Sequence, residues 1–306
     1  MHYLITGGCG FIGSHLADVL VAAGHRVTIL DNLSSGKREN APAAARIIVG
    51  DITTPGMFDA LVAEADGVFH LAAVVSVQKS TEEWLHTHQV NLGGTVALFD
   101  AIARSKRKTP VVLASSAAVY GDNPIIPLKE TAHCQPLSAY GADKFACEIH
   151  ARIATKLHSI PTAALRFFNV YGPRQDPASP YSGVISIFTN NMRRKLPVTI
   201  FGDGNQTRDF VYVGDVVAGL SAAMQKLESG ALAHGVFNLC TGTQVTVNAL
   251  AKSIAQATGT TAFITYAPSR RGDIRRSQGD PAACREALGF AAITPLEEGL
   301  KHTCTE

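Results

Sequence analysis

Short apolar runs recur through the first half of the chain, at 3–6, 26–30, 46–49, 67–71, 110–114 and 162–167. Each is only a few residues long and most are rich in Val, Ile or Leu, the signature of strands buried on both faces. Between them, apolar positions return at helical spacing over 11–23, 55–64, 80–104 and 138–158. Strands alternating with helices predict βαβ units, hence an α/β fold with a doubly wound parallel sheet covered on both faces. After about residue 170 the pattern changes. Gly, Pro, Asp and Asn gather at 172–183 and 202–209, and shorter elements lie between them. Helices are expected at 184–195, 215–227 and 246–257, the last behind a capping Thr246. The expected division is a larger unit over 1–168, joined by part of 210–240, with a smaller α/β lobe over 169–306 interleaved with it.

Composition narrows this picture only slightly. The chain has 306 residues, 46% of them hydrophobic, enough for a sizeable core with an appended lobe. Lys and Arg number 27 against 25 Asp and Glu, so the balance of charge predicts no nucleic-acid and no membrane partner. The strand expected from His2 leaves no room for a signal peptide. The six cysteines lack metal-ligand spacing and read as reduced thiols, which predicts a cytoplasmic protein. His70, His86, His88 and His133 form no metal constellation, and no metal is expected.

Two motifs carry chemistry. The first follows the first strand, where Gly7, Gly10 and Gly13 occupy a strand-to-helix turn. Gly7 permits the tight turn, Gly10 lets the backbone approach a pyrophosphate, and Gly13 lets the helix pack closely on the strand. Phe11 and Ile12 open that helix, whose free N–H groups favour an anion. The pattern predicts a Rossmann-type dinucleotide site. Asp31, ending the second strand, would accept hydrogen bonds from the adenosine ribose. Its charge would repel a 2′-phosphate, and neighbouring Asn32 offers no cation, so the cofactor is expected to be NAD. Asp51 and Ile52 follow the third strand and are candidates to meet the adenine. Leu71, Ala72 and Ala73 end the fourth, where a nucleotide passes close to backbone.

The second motif is Tyr140 and Lys144, at i and i+4 on one helix face. A phenol titrating near 10 is a poor base at neutral pH, and a nearby ammonium favours the phenolate. Ser116, at the end of the fifth strand, is placed to donate or relay a proton at the reacting oxygen. These three residues are the expected catalytic set, with Tyr140 and Lys144 also facing the nicotinamide end of the cofactor.

An ordered series of segments resembles the extended short-chain dehydrogenase/reductase superfamily, and within it the UDP-hexose 4-epimerases. The series is TGGCGFIGSHL at 6–16, DNLSSGKREN at 31–40, SSAAVYG at 115–121, YGADK at 140–144, RFFNVYGPRQDP at 166–177, FGDGNQTRDFVYVGDV at 201–216 and RRGDIRRSQGD at 270–280. The resemblance implies that Tyr140 takes the sugar 4-hydroxyl proton while hydride leaves C4 for NAD, and that the 4-keto sugar turns over before the hydride returns. Related dehydratases and decarboxylases carry acids after the strand-end hydroxyl, where this chain has Ala117 and Ala118.

The resemblance further implies that Arg208 and Arg270 bind the pyrophosphate, that Asp273 holds the uridine ribose and that Asn169 contacts the nucleotide sugar. Guanidinium suits the first role because its planar fork meets phosphate oxygens bidentately. Ser277 falls where a tyrosine would wall off the C2 side of the sugar, so a 2-acetamido group is expected to fit. Segments 173–177 and 275–278 are similar to those of bacterial UDP-N-acetylglucosamine 4-epimerases. Ser76, within 74–77, is expected at the same pocket. Arg271, Arg275 and Arg276 are expected at the rim or surface. Relatives imply a homodimer pairing the helices near 80–104 and 138–158 into a four-helix bundle, with Val96, Phe99 and Ile102 facing either the partner or the sheet. Alternatives are a UDP-glucose 4-epimerase without N-acetyl activity, another NAD-linked nucleotide-sugar epimerase or reductase, and a non-catalytic NAD sensor, the last disfavoured by the presence of Ser116, Tyr140 and Lys144 together.

Overall fold

The apolar runs of the first half become strands of one parallel sheet. The computed structural model describes residues 1–176, 183–269 and 274–305. In chain order its first part contains β1 (His2–Thr6), α1 (Phe11–Ala22), β2 (Arg26–Asp31), β3 (Arg46–Val49), α2 (Asp59–Glu64), β4 (Gly67–His70), α3 (Val77–Glu82), α4 (Trp84–His88), α5 (Gly94–Ser105), β5 (Val111–Ser116), α6 (Ala139–His158) and β6 (Thr162–Phe167). The second part contains β7 (Asn169–Tyr171), α7 (Val184–Arg193), β8 (Val198–Phe201), β9 (Thr207–Arg208), β10 (Phe210–Tyr212), α8 (Val213–Glu228), β11 (His234–Leu239), β12 (Val245–Thr246), α9 (Val247–Thr258), β13 (Ile264–Ala267), α10 (Ala282–Leu288) and α11 (Leu296–Thr305).

Seven strands pair in the order β11-β6-β5-β4-β1-β2-β3, all parallel. The order reverses between β1 and β4, and the carboxyl ends of strands beside such a switch point form a binding crevice. One face of the sheet is covered by α1 and α8 through Leu16, Leu20, Val216 and Leu220. The other is covered by α2, α5 and α6 through Val62, Leu98, Ile102, Cys147 and Ala151. A third apolar cluster joins α7, α9 and α11 through Phe188, Met192, Leu250, Ile254 and Leu300, and forms the smaller lobe. The strand at His234–Leu239 leaves that lobe to become the seventh strand of the main sheet.

Helix 80–104 is not continuous. Glu83 leaves helical geometry (φ −117°, ψ 53°) between α3 and α4, and a π turn over Gln89–Gly93 separates α4 from α5. At the π turn the side chain of Asn91 bonds both the N–H and the carbonyl of Val74 (2.7 and 3.1 Å), tying the strand-end segment to the helix. Gly94 lets α5 settle on Ile52, where a Cβ would meet that side chain at 2.5 Å. The expected helix at 55–64 begins only at Asp59, after turns.

The register of α6 on the sheet is fixed by a buried ion pair. Arg166 of β6 donates from Nε and Nη2 to the two oxygens of Glu148 (2.8 and 2.7 Å), and both side chains are about 4% exposed. The Ser115 hydroxyl donates to the same carboxylate. The guanidinium lies over the Tyr120 ring at 4.7 Å, and the Tyr120 hydroxyl donates to Asn238 of β11 (2.6 Å). One network therefore holds β5, α6, β6 and β11. Glu148→Ala strands a buried guanidinium, so it is expected to cost about 3–5 kcal/mol of folding stability. Urea denaturation checks this, and a midpoint equal to the parent's would contradict it.

Candidate active site

The glycine turn and the end of β4 touch. Gly7 adopts φ +72°, and a Cβ there would stand 2.8 Å from the Ala72 nitrogen. At Gly13 a Cβ would stand 2.3 Å from the Gly7 carbonyl, so only glycine lets α1 pack this closely on the turn. Gly10 is the N-cap of α1 and supplies no side-chain cap. The first-turn N–H groups at Phe11, Ile12 and Gly13 are thus free of a capping side chain, the arrangement that suits a pyrophosphate. This cradle, closed to any side chain, fits the expected dinucleotide.

Asp31, at the end of β2, accepts from the Cys9 N–H (3.0 Å) and the Leu33 N–H (2.8 Å). It clamps the glycine turn while keeping lone pairs for ribose hydroxyls. Asn32 donates to Asp51 (2.8 Å), whose other oxygen accepts from the Thr53 N–H and hydroxyl. The side chain of Ile52 is buried under α5, so only its backbone is available to a nucleotide. Leu71, Ala72 and Ala73 are half-buried behind β4, and Thr6 accepts from the Leu71 and Ala72 N–H groups. His70 links Thr6 to Thr95 through its two ring nitrogens (2.9 and 3.1 Å). Burial, aided by the charge of Lys144, lowers its pKa to about 3, so it is neutral at pH 7.

Tyr140 and Lys144 share a face of α6, as their spacing predicts. Ser138 caps this helix by accepting from the Gly141 N–H, and Ser80 of α3 accepts from the Tyr140 N–H. The Lys144 Nζ stands 5.9 Å from the centre of the Tyr140 ring and donates to the Ala114 carbonyl (2.8 Å). Burial raises the Tyr140 phenol, and a hydrogen bond with Ser116 opposes that rise. Burial lowers Lys144, opposed by the neighbouring Cys147 and Asp143. Phenol, hydroxyl and ammonium are thus gathered at the carboxyl end of β5.

A cavity of about 200 Å³ opens at Ser116. Ser116, Ala117, Asn169, Arg208, Arg276 and Ser277 are among its lining residues. Arg208 donates to the Thr207 and Ile274 carbonyls (2.8 and 2.7 Å), and the Ser277 N–H bonds the Thr207 carbonyl (3.2 Å). Ser76 is not among the cavity's lining residues, and its hydroxyl caps α3 by accepting from the Lys79 N–H. Arg275 pairs with Asp203 at the surface, and Arg276 is at the exposed rim. Arg270, Arg271 and Asp273 lie outside the described residues. Among the described residues no three His, Cys, Asp or Glu side chains are grouped to hold a metal ion.

Three contributors escape a reading of the sequence. Asn91 looks like an ordinary polar residue before a Gly-Gly pair, and that pair inside a helical pattern is its only signal. Asp209, fully buried, accepts from the Thr241 hydroxyl and from the N–H groups of Thr241, Gly242 and Gly279, pinning the loops around the cavity. Asp143, between Tyr140 and Lys144 on α6, bonds His88.

Residues 3–240 match the NAD dependent epimerase/dehydratase family. The chain belongs to that family. It is 37% identical to the UDP-glucose 4-epimerase of Mycolicibacterium smegmatis over 309 residues, covering 99% of this chain and 97% of the relative. Its structure resembles that of the Thermotoga maritima UDP-glucose 4-epimerase with UDP-glucose, with a TM-score of 0.94 and 38% identity over 100% of this chain and 98% of that one. It equally resembles the UDP-N-acetylglucosamine 4-epimerase of Methanobrevibacter ruminantium in complex with UDP-N-acetylmuramic acid, with a TM-score of 0.94 and 36% identity over 99% and 97%. The sequence expectations of a Rossmann-type fold, of NAD and of an NAD-dependent UDP-sugar 4-epimerase agree with these relatives. Among the described residues no helix is long and apolar enough to cross a membrane.

Proposed function

We propose that this enzyme inverts C4 of UDP-hexoses through a transient 4-keto sugar, interconverting UDP-N-acetylglucosamine with UDP-N-acetylgalactosamine and UDP-glucose with UDP-galactose. The observation that carries the reading is the cavity joining the Ser116 strand end to Asn169, Arg208 and Ser277, with small side chains at 117, 118 and 277. NAD, when bound, accepts and returns the hydride. Tyr140 removes and restores the proton of the 4-hydroxyl, Ser116 hydrogen-bonds that oxygen, and the Lys144 ammonium favours the phenolate. Arg208 and Arg270 are assigned to the pyrophosphate, and Asp273 and Asn169 to the nucleoside side. Gly7, Gly10, Gly13, Asp31 and Asp51 hold the dinucleotide. Ala117 and Ala118 supply no acid for dehydration or decarboxylation, whereas epimerisation needs none. The presence of UDP-glucose 4-epimerases among the relatives favours a second reading, the same reaction without N-acetyl substrates.

The NAD-binding unit is taken to cover 1–168 with the part of 210–240 that supplies α8 and β11, and the UDP-sugar lobe the remainder. All six thiols are free, which suits a reducing compartment such as the cytoplasm. A homodimer through α5 and α6 is supported by Val96, Ile149, Ile153 and Leu157, apolar and exposed on those helices. Phe99 and Ile102 are buried in the core and take no part.

Proton NMR of the purified protein with UDP-N-acetylglucosamine, beside UDP-glucose and without added reductant, is expected to show both 4-epimers. Tyr140→Phe is expected to lower kcat about 100-fold or more. No conversion of either sugar by the parent protein would refute the function. Ser277→Tyr is expected to reduce N-acetyl turnover about tenfold to a hundredfold while sparing UDP-glucose, as overpacking a fitted pocket does. Equal loss on both substrates would refute the gatekeeper role. Light scattering is expected to give twice the 32.3 kDa chain mass. A concentration-independent monomer would exclude the dimer.

A further inference from the structure

Lys144 is a buried cation with no carboxylate at ion-pair distance among the described residues. The residue is 5% exposed, and its Nζ donates to the neutral Ala114 carbonyl. A buried ammonium needs a compensating charge, or it sheds its proton. The titratable groups packed around it can be taken in turn. His70, on β4, is neutral at pH 7. Cys147, one turn along α6, is kept a neutral thiol because burial raises its pKa. Tyr140 is raised by burial and is neutral in the resting site. Glu148 is committed to Arg166, which engages both of its oxygens. On α3, Lys79 pairs with Glu83 at the surface.

Asp143 is left. Its side chain is 6% exposed, and its Oδ1 accepts from Nδ1 of His88 on α4 (2.8 Å). Its Oδ2 is buried with no hydrogen-bond partner. A carboxylate so placed has a surplus of negative charge and a shortage of donors, the complement of its chain neighbour Lys144. His88, with its side chain half exposed, holds the carboxylate from the outer side.

We propose that Asp143, oriented by His88, is the counter-charge that keeps the buried Lys144 side chain in its ammonium form. Asp143 is a positioning residue, acting on the reacting oxygen only through Lys144. The role in turnover rests on the function proposed above, whereas the charge state of Lys144 does not.

The test follows the Lys144 Nζ signal by NMR in substrate-free protein carrying ¹⁵N-lysine, assigned by its loss in Lys144→Arg. In Asp143→Asn, Lys144 is expected to lose its proton about one pH unit lower than in the parent. The alkaline limb of kcat/KM for UDP-glucose epimerisation is expected to move down with it, while the rate at the optimum stays within a few-fold. His88→Asn, whose amide still donates to the carboxylate, is expected to leave the titration in place. Asp143→Ser repeats the measurement if the Asn protein fails to fold. An unmoved Lys144 titration in either Asp143 variant would overturn the proposal. If the parent protein epimerises neither sugar, the proposed function fails and the Lys144 titration still decides the counter-charge.

Discussion

The pairing of Glu148 with Arg166 deep between α6 and β6 is the constraint from which the site's geometry descends. Two opposite charges about 4% exposed must meet with good geometry, because either one alone in that environment is costly. Their meeting fixes how far α6 slides and rotates against the sheet. Tyr140 and Lys144 lie on the same helix, two turns and one turn before Glu148, so their placement follows. Ser115 donates to the same carboxylate, and Ser116, the next residue, comes to the phenol. Helix and strand end are thus registered to each other by one bidentate contact. The same network reaches Leu128 and Asp280 through Asn238, so the loops flanking the cavity share the reference point.

The loops around the cavity are held by equally local means. Asp209 gathers four donors from two loops, and the Ser277 N–H is bonded to Thr207 beside it. Gln244 donates to Gln278 and accepts from the Thr207 hydroxyl, while Gln278 donates to Gly242. The backbone on both sides of Ser277 is therefore braced by hydrogen bonds. Enlarging the side chain at 277 must consume cavity space, because the segment has little freedom to retreat. That bracing is why a single small residue can set what fits at C2 in the proposed function.

The sheet was legible because parallel strands buried on both faces must be nearly continuous apolar runs, and β1, β2, β4, β5 and β6 are. The glycine turn was legible for a similar reason: no Cβ fits at Gly7 or Gly13, so the sequence carries the mark of the packing. The break in the 80–104 helix was not. Its apolar spacing continues through both interruptions, and at the second, the π turn, Asn91 binds Val74, a contact made only once the segment after β4 lies beside that turn. Asp143 lies within YGADK, but its contact with His88, 55 residues away, is made only in the folded chain.

A direct ion pair would seem the simpler way to keep Lys144 charged, but it would defeat the site's chemistry. An ammonium has three donors, and one is spent on the Ala114 carbonyl. A carboxylate bonded to Nζ would occupy another and would stand close enough to the phenol to disfavour its ionisation. A counter-charge one residue along the helix, braced from outside by His88, compensates the cation without competing for its hydrogens. Cys147 and Asp143 both favour the charged form of Lys144, and Ser116 opposes the rise that burial gives the Tyr140 phenol. With no carboxylate bonded to Nζ among the described residues, the remaining ammonium donors stay available where a phenolate and a ribose would need them.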